Sequence, residues 1–166
     1  MWDPARVGHW MQRLPDPEQN IGTIFRLFNE IGIISQLSSR LLERHLPGGF
    51  LVSHFTVINH LTRVGDGRTP LSIANALQVP KTTMTHTLSG LHKAELISFE
   101  PNPKDSRSKL VALTDKGRSF RDEAIAMLGP DMVKMAQTLP VAQISEILPI
   151  LEEVRIYLDR ERDTVP

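Results

Sequence analysis

Through the first third of the chain, apolar side chains recur in steps of three and four: Ile21, Ile24, Phe25, Phe28, Ile31, Ile34, Leu37, Leu41 and Leu42. This period predicts one amphipathic helix of about seven turns over residues 20–46, ended by Pro47-Gly48-Gly49. A helix well beyond the usual mean of about 11–12 residues needs a large surface to cover it. A small domain offers little, so a second chain is the expected cover. Ahead of it, residues 1–19 carry Pro4, Pro15 and Pro17 and show no helical period. They read either as a disordered tail or as an arm whose Trp2, Trp10, Met11 and Leu14 dock on the core or on a second subunit.

The pattern then shortens. Ser53 is placed to cap a helix running to Val64, with Phe55, Val57, Ile58 and Leu61 inward and Gly65-Asp66-Gly67 as its stop. Leu71 to Leu77 predicts a short helix burying Ile73, Ala74 and Leu77. Gln78-Val79-Pro80 predicts a tight turn, because a residue before proline avoids the helical region. Pro80 suits the first turn of the next helix, Lys81 to Lys93, whose apolar stripe is only Met84, Leu88 and Leu91. Beyond it the period drops to two: Ile97–Glu100 and Lys109–Leu113 predict two strands, with Pro101-Asn102-Pro103 breaking the chain between them. Thr114 caps a helix carrying Phe120, Ala124, Ile125 and Leu128, which Gly129-Pro130 should kink or break. Leu139-Pro140 opens a last helix with Ile144, Ile147, Leu148, Leu151, Val154 and Leu158 on one face, which Pro149 should bend or split.

A short helix with a small residue at its centre, a tight turn and a thin-striped polar helix make a helix-turn-helix pattern. In that motif the N-terminal residues of the second helix meet base edges in the major groove. The outward set here is Lys81, Thr82, Thr83, Thr85, His86 and Ser89. Such a face is also what a plain solvated helix shows. Two features argue against that reading. Threonine and serine are poor helix formers, so something other than helix stability favours them here. The strand pair that follows carries Lys104, Arg107 and Lys109 at its tip, which makes the layout a winged helix. An arginine there suits a narrow, negative minor groove, and the lysines suit phosphates.

Charge sharpens this modestly. The 166-residue chain is formally neutral, but residues 1–80 hold seven basic and six acidic side chains, 81–120 seven and four, and 121–166 five and nine. The basic excess falls on the middle segment, as a phosphate-facing surface requires. There is no cysteine, hence no disulfide and no thiolate metal site. Neither a secretory signal nor an 18-residue apolar run is evident, so cytoplasmic residence without a membrane is the expectation. No nucleophile elbow, phosphate-binding loop or His-Glu-x-x-His pair suggests an enzyme, and no cofactor is expected. His54 and His60, like His86 and His92, are six residues apart and share no helical face. No metal site is expected, although metal-responsive regulation is the reading that the six histidines would serve.

The run Asp105-x-Arg107, Val111-x-Leu113-Thr114 and Gly117 resembles, without a gap, the wing signature of the multiple-antibiotic-resistance regulators (the MarR family). Pro70 to Leu77 is similar to the helix that precedes the family's recognition helix, and the long terminal helices resemble its dimerisation elements. The resemblance covers roughly residues 21–160. It implies a mainly α fold with a β-hairpin wing: an arm over 1–19, dimerisation helices over 20–46 and 119–166, and a winged helix-turn-helix over 50–118. It also implies a homodimer that regulates transcription, as a repressor, on a pseudo-palindromic double-stranded operator with half-sites some 10 bp apart. By the same resemblance Arg107 enters the minor groove and Asp105 orients nearby cations. A small-molecule effector would sit near the first two helices, where Arg40 or His54 meets its carboxylate. Two positions depart from the family. His86 stands where an arginine is common. Glu95 stands where a glycine ends the recognition helix, so a different local turn is expected there. A wing that binds a protein partner is the other reading, and a weak salt response would mark it.

Overall fold

The computed structural model describes residues 16–161. In chain order these form α1 (Pro17–Glu43), α2 (Val52–Val64), α3 (Pro70–Ala76), α4 (Lys81–Lys93), β1 (Ile97–Pro101), β2 (Lys109–Leu113), α5 (Asp115–Met127), α6 (Gly129–Thr138) and α7 (Val141–Glu161). The described residues fall into two compact units that divide between Ala124 and Ile125. The first helix begins inside the stretch read as an arm and ends before the predicted Leu46. The proposed roles of Trp2, Trp10, Met11 and Leu14 lie outside the described residues.

The core belongs to the first unit. Val57, Ile58 and Leu61 of α2 meet Ile73 and Ala74 of α3, Met84, Leu88 and Leu91 of α4, Leu96, Ile97, Val111 and Leu113 around the hairpin, and Phe120 of α5. Each large side chain among them, fully buried, contributes about 1.5–3 kcal/mol. Together they outweigh the poor helix propensity of α4. Phe55, predicted inward, is only half-buried. Ser53 does not cap α2. The helix starts one residue earlier, and the Leu51 N–H donates to His54 Nδ1 (3.0 Å), the work of the acceptor side chain in a capping box.

Two left-handed residues set the helix-turn-helix geometry. α3 ends with Gln78 at φ 54°, its N–H donating to the Asn75 carbonyl (3.2 Å) and that of Val79 to the Ala74 carbonyl (3.0 Å). α4 ends the same way. Glu95 has φ 63°, its N–H reaches the His92 carbonyl (2.9 Å) and that of Leu96 the Leu91 carbonyl (3.0 Å). Both are Schellman closures with a non-glycine residue at the left-handed position. The expected departure at Glu95 is therefore corrected: the turn is the usual one. Thr114 Oγ1 donates to the Glu95 carbonyl (2.7 Å) and Lys116 Nζ to Glu95 Oε2 (3.0 Å), which offsets a backbone cost on the order of 1 kcal/mol. That ammonium holds the Glu95 carboxyl below its ordinary range.

β1 and β2 pair antiparallel, with Ile97 opposite Leu113 and Pro101 opposite Lys109. Arg68 adds a bridge to the far edge of β2: the Val111 N–H donates to its carbonyl (2.8 Å). α5 starts as expected, the Gly117 N–H donating to Thr114 Oγ1 (3.0 Å). In the second unit Gly129-Pro130 separates α5 from α6, whereas α7 runs through Pro149 as one helix instead of splitting there.

A Cβ on Gly117 would lie 2.1 Å from the Leu96 carbonyl oxygen. Helix propensity alone would make Gly117→Ala stabilising by about 0.5–1 kcal/mol. The clash is with backbone and outweighs it, so we expect destabilisation of about 1–3 kcal/mol in urea unfolding.

Candidate nucleic-acid interface

α4 divides cleanly. Met84, Thr87, Leu88 and Leu91 are buried, while Lys81, Thr82, Thr83, Thr85, His86 and Ser89 are all exposed. Pro80 stands just before the helix rather than within its first turn, its carbonyl accepting from the Met84 N–H (3.0 Å). The hydroxyls of two threonines are turned inward: Thr85 Oγ1 donates to the Lys81 carbonyl (2.9 Å) and Thr87 Oγ1 to the Thr83 carbonyl (3.1 Å). Thr87 was not among the buried positions expected. Its hydroxyl is accommodated there because the i−4 carbonyl takes its proton.

The wing tip is built from local side chain–backbone bonds. Asn102 Oδ1 accepts from the Lys104 N–H (3.0 Å), and Asn102 Nδ2 donates to Ser108 Oγ (2.7 Å). Asp105 Oδ1 accepts from the Arg107 N–H (3.0 Å) and, at 3.4 Å, from Arg107 Nε. The Arg107 side chain is nevertheless 92% exposed, so this ion pair adds little stability and its role is to orient the guanidinium. Lys104 is exposed on the same loop. Lys109 Nζ lies 5.8 Å from the centre of the Phe99 ring, and that ring meets His92 of α4 edge-on at 5.1 Å. His92 Nδ1 is 3.2 Å from the Ile97 carbonyl. The end of α4 is thus fastened to the base of the wing.

Two fastenings were not foreseen. Asp66 Oδ1 accepts from the Leu113 N–H (2.8 Å), and Asp66 Oδ2 pairs with Arg118 Nη2 (2.5 Å). Gly65-Asp66-Gly67 signals a helix stop, but contact with a strand 47 residues downstream has no local signature. The backbone pairing of Arg68 was missed for the same reason.

The structure does not bring Arg40 and His54 to one recess. Arg40 borders an open one with Leu37, Glu43 and Arg44. His54 lines another with Gly48, Gly49, Phe50, Gly90, Lys93 and Ala94. Its Nδ1 is taken by Leu51, and its Nε2 lies 2.9 Å from where a Gly90 Cβ would be, so the ring packs directly on α4. Burial pushes the His54 pKa down. His60 is lowered too, by burial and then by Arg63 and Arg68. Among the described residues no three His, Asp or Glu side chains cluster to hold a metal ion, and no helix is long and apolar enough to cross a membrane.

Three helices with a left-handed turn between the last two, followed by a two-stranded hairpin, define a winged helix-turn-helix protein. The winged helix DNA-binding domain family matches residues 52–117. Over 137 residues the chain is 26% identical to the multiple antibiotic resistance protein MarR of Escherichia coli (strain K12), covering 77% of this chain and 94% of that protein. A crystal structure of an Escherichia coli MarR mutant complexed with operator DNA aligns with a TM-score of 0.63 at 25% identity, over 80% of this chain and 95% of that one. The transcriptional regulator BldR of Sulfolobus solfataricus shares the fold, with a TM-score of 0.67 at 22% identity over 84% and 97% of the two chains. The chain thus carries a winged helix DNA-binding domain and is similar to MarR regulators.

A histidine whose pKa is lowered on folding binds fewer protons in the native state. Stability from His54 and His60 is therefore full above the ordinary imidazole value of about 6.5 and is lost as pH falls through it. We expect the urea midpoint to drop between pH 7.5 and 5. His54→Gln, which keeps an acceptor at the third helical position without titrating, should reduce that drop. An unchanged drop in this variant would remove His54 from the account.

Proposed function

We propose that this protein is a sequence-specific, double-stranded DNA-binding transcriptional regulator acting as a homodimeric repressor. The observation that carries the reading is the pairing of two exposed surfaces on one rigid lobe. The six-residue polar face of α4 (Lys81, Thr82, Thr83, Thr85, His86, Ser89) supplies contacts in the major groove. Arg107, oriented by Asp105 and flanked by Lys104 and Lys109, supplies them in the adjacent minor groove. The relative seen with operator DNA supports it. We read the protein as cytoplasmic and without catalytic activity.

The homodimer follows from uncovered apolar surface. α1 exposes Phe25 (70%), Ile34 (60%) and Leu37 (63%), and α7 exposes Leu148 (55%) and Tyr157 (62%). Patches of this kind mark association surfaces. We also include a small-molecule effector near the first two helices. Arg40 or His54 would meet its carboxylate.

Arg107→Ala should leave the fold intact, since the side chain is exposed and its contact with Asp105 is a weak surface ion pair. It should weaken operator binding by roughly 1–3 kcal/mol and lessen preference for narrow A·T grooves. Unchanged affinity in fluorescence anisotropy would remove the wing from the interface. Binding that barely weakens between about 50 and 200 mM salt would instead favour the protein-partner reading. Leu148→Glu combined with Leu151→Glu should convert a dimer to a monomer in sedimentation, and a persistent dimer would displace α7 from the interface.

A further inference from the structure

We propose that α4 selects its half-site by the C5 methyl groups of thymine, through Thr82 and Thr85, rather than by two-point hydrogen bonds to guanine or adenine. This rests on the reading of the protein as a DNA-binding regulator and adds which bases it reads.

The face available for readout is narrow. Thr82, Thr85, His86 and Ser89 stand at i, i+3, i+4 and i+7 and form one stripe opposite the buried Met84, Leu88 and Leu91. Thr83 stands at the edge of this stripe, where it also borders an apolar recess with Val52, Val57, Leu77 and Met84. Two-point discrimination of guanine or adenine in the major groove ordinarily uses arginine or lysine, asparagine or glutamine. Lys81–Lys93 contains no arginine, asparagine or glutamine, and of its two lysines Lys93 stands at the far end, which leaves Lys81 as the one residue of this kind near the bases. The neighbouring Gln78 amide is engaged, its Nε2 donating to the Asn75 carbonyl at 2.6 Å. His86 can make one hydrogen bond per base.

The threonines are suited to methyl contact. Thr85 is exposed and has its hydroxyl drawn back onto the Lys81 carbonyl, so its γ-methyl is the group left to meet a base. Donation to a base would cost it that bond. What it offers outward is an apolar group of the right size for a thymine methyl. Thr82, one turn earlier on the same stripe, sits at the N-terminal end of the helix, the part that enters deepest.

The test begins with selection of bound duplexes from a random-sequence pool on the full-length protein at low salt. The selected duplex is then resynthesised with deoxyuridine for thymidine, one half-site position at a time, which removes the methyl and keeps every hydrogen-bonding group. Each contacted methyl should be worth about fourfold in affinity, so the symmetric double replacement should cost more than tenfold. Thr85→Ser keeps the hydroxyl and loses the methyl, and it should abolish the deoxyuridine penalty at one position only. Thr85→Val, which keeps a methyl, should preserve that penalty. Tight binding that deoxyuridine leaves unchanged throughout would overturn methyl readout while leaving the DNA-binding reading intact. Failure to enrich any duplex would overturn the DNA-binding reading itself.

Discussion

The lobe depends on a single left-handed residue. At Glu95 helix α4 stops and the chain reverses into the wing, and α4, the hairpin and α5 meet at that reversal. The Leu96 N–H closes back on Leu91, the Leu96 carbonyl accepts from the Thr114 N–H at 3.2 Å, and Thr114 Oγ1 holds the Glu95 carbonyl. Gly117 presses on the same Leu96 carbonyl, where no Cβ fits. Two successive peptide units thereby join the end of α4, the base of the hairpin and the start of α5. An L-residue at φ 63° costs energy, but relieving it locally would release three elements at once.

That junction also shows what single-sequence reading can and cannot reach. Elements were legible from the spacing of their apolar residues: Met84, Leu88 and Leu91 predicted α4 and are buried, while β2 was read from the alternation beginning at Lys109, although Val111, Ala112 and Leu113 are all buried. The candidate interface was legible as the complement of that stripe, and all six α4 positions are exposed. Energetic balances between distant segments were not. Glycine preference argued against the usual turn at Glu95, but Thr114 and Lys116, 19 and 21 residues away, offset the cost. At α2, Ser53 has the better capping chemistry, and yet His54 takes the Leu51 N–H because its ring is wedged against Gly90. Pro149 removes one donor from α7, and the flanking turns suffice to carry the helix through.

The terminal helices obey a different constraint. Their apolar residues follow the helical period as strictly as those of the lobe, but within a single chain many stay in water, among them Phe25, Ile34, Leu37, Ile147 and Leu148. Periodicity reports that a face wants burial, not which surface buries it. For the lobe that surface lies within the same chain. For α1 and α7 the proposed surface is a second copy, so their stability depends on protein concentration in a way that of α4 does not.

The wing tip has a thermodynamic consequence. A seven-residue loop of Asn, Pro, Lys, Asp and Ser would ordinarily wander, and gripping a groove with it would mean giving up that freedom on contact. Here Asn102 and Asp105 have already spent it: their carboxamide and carboxylate tie down Lys104, Arg107 and Ser108 before any partner arrives. Ordering a backbone residue costs about 1–2 kcal/mol, so a loop settled during folding hands that sum to the fold rather than to the encounter. In the proposed interface the arginine would meet DNA as a preset probe, with only its side-chain rotors left to be stilled.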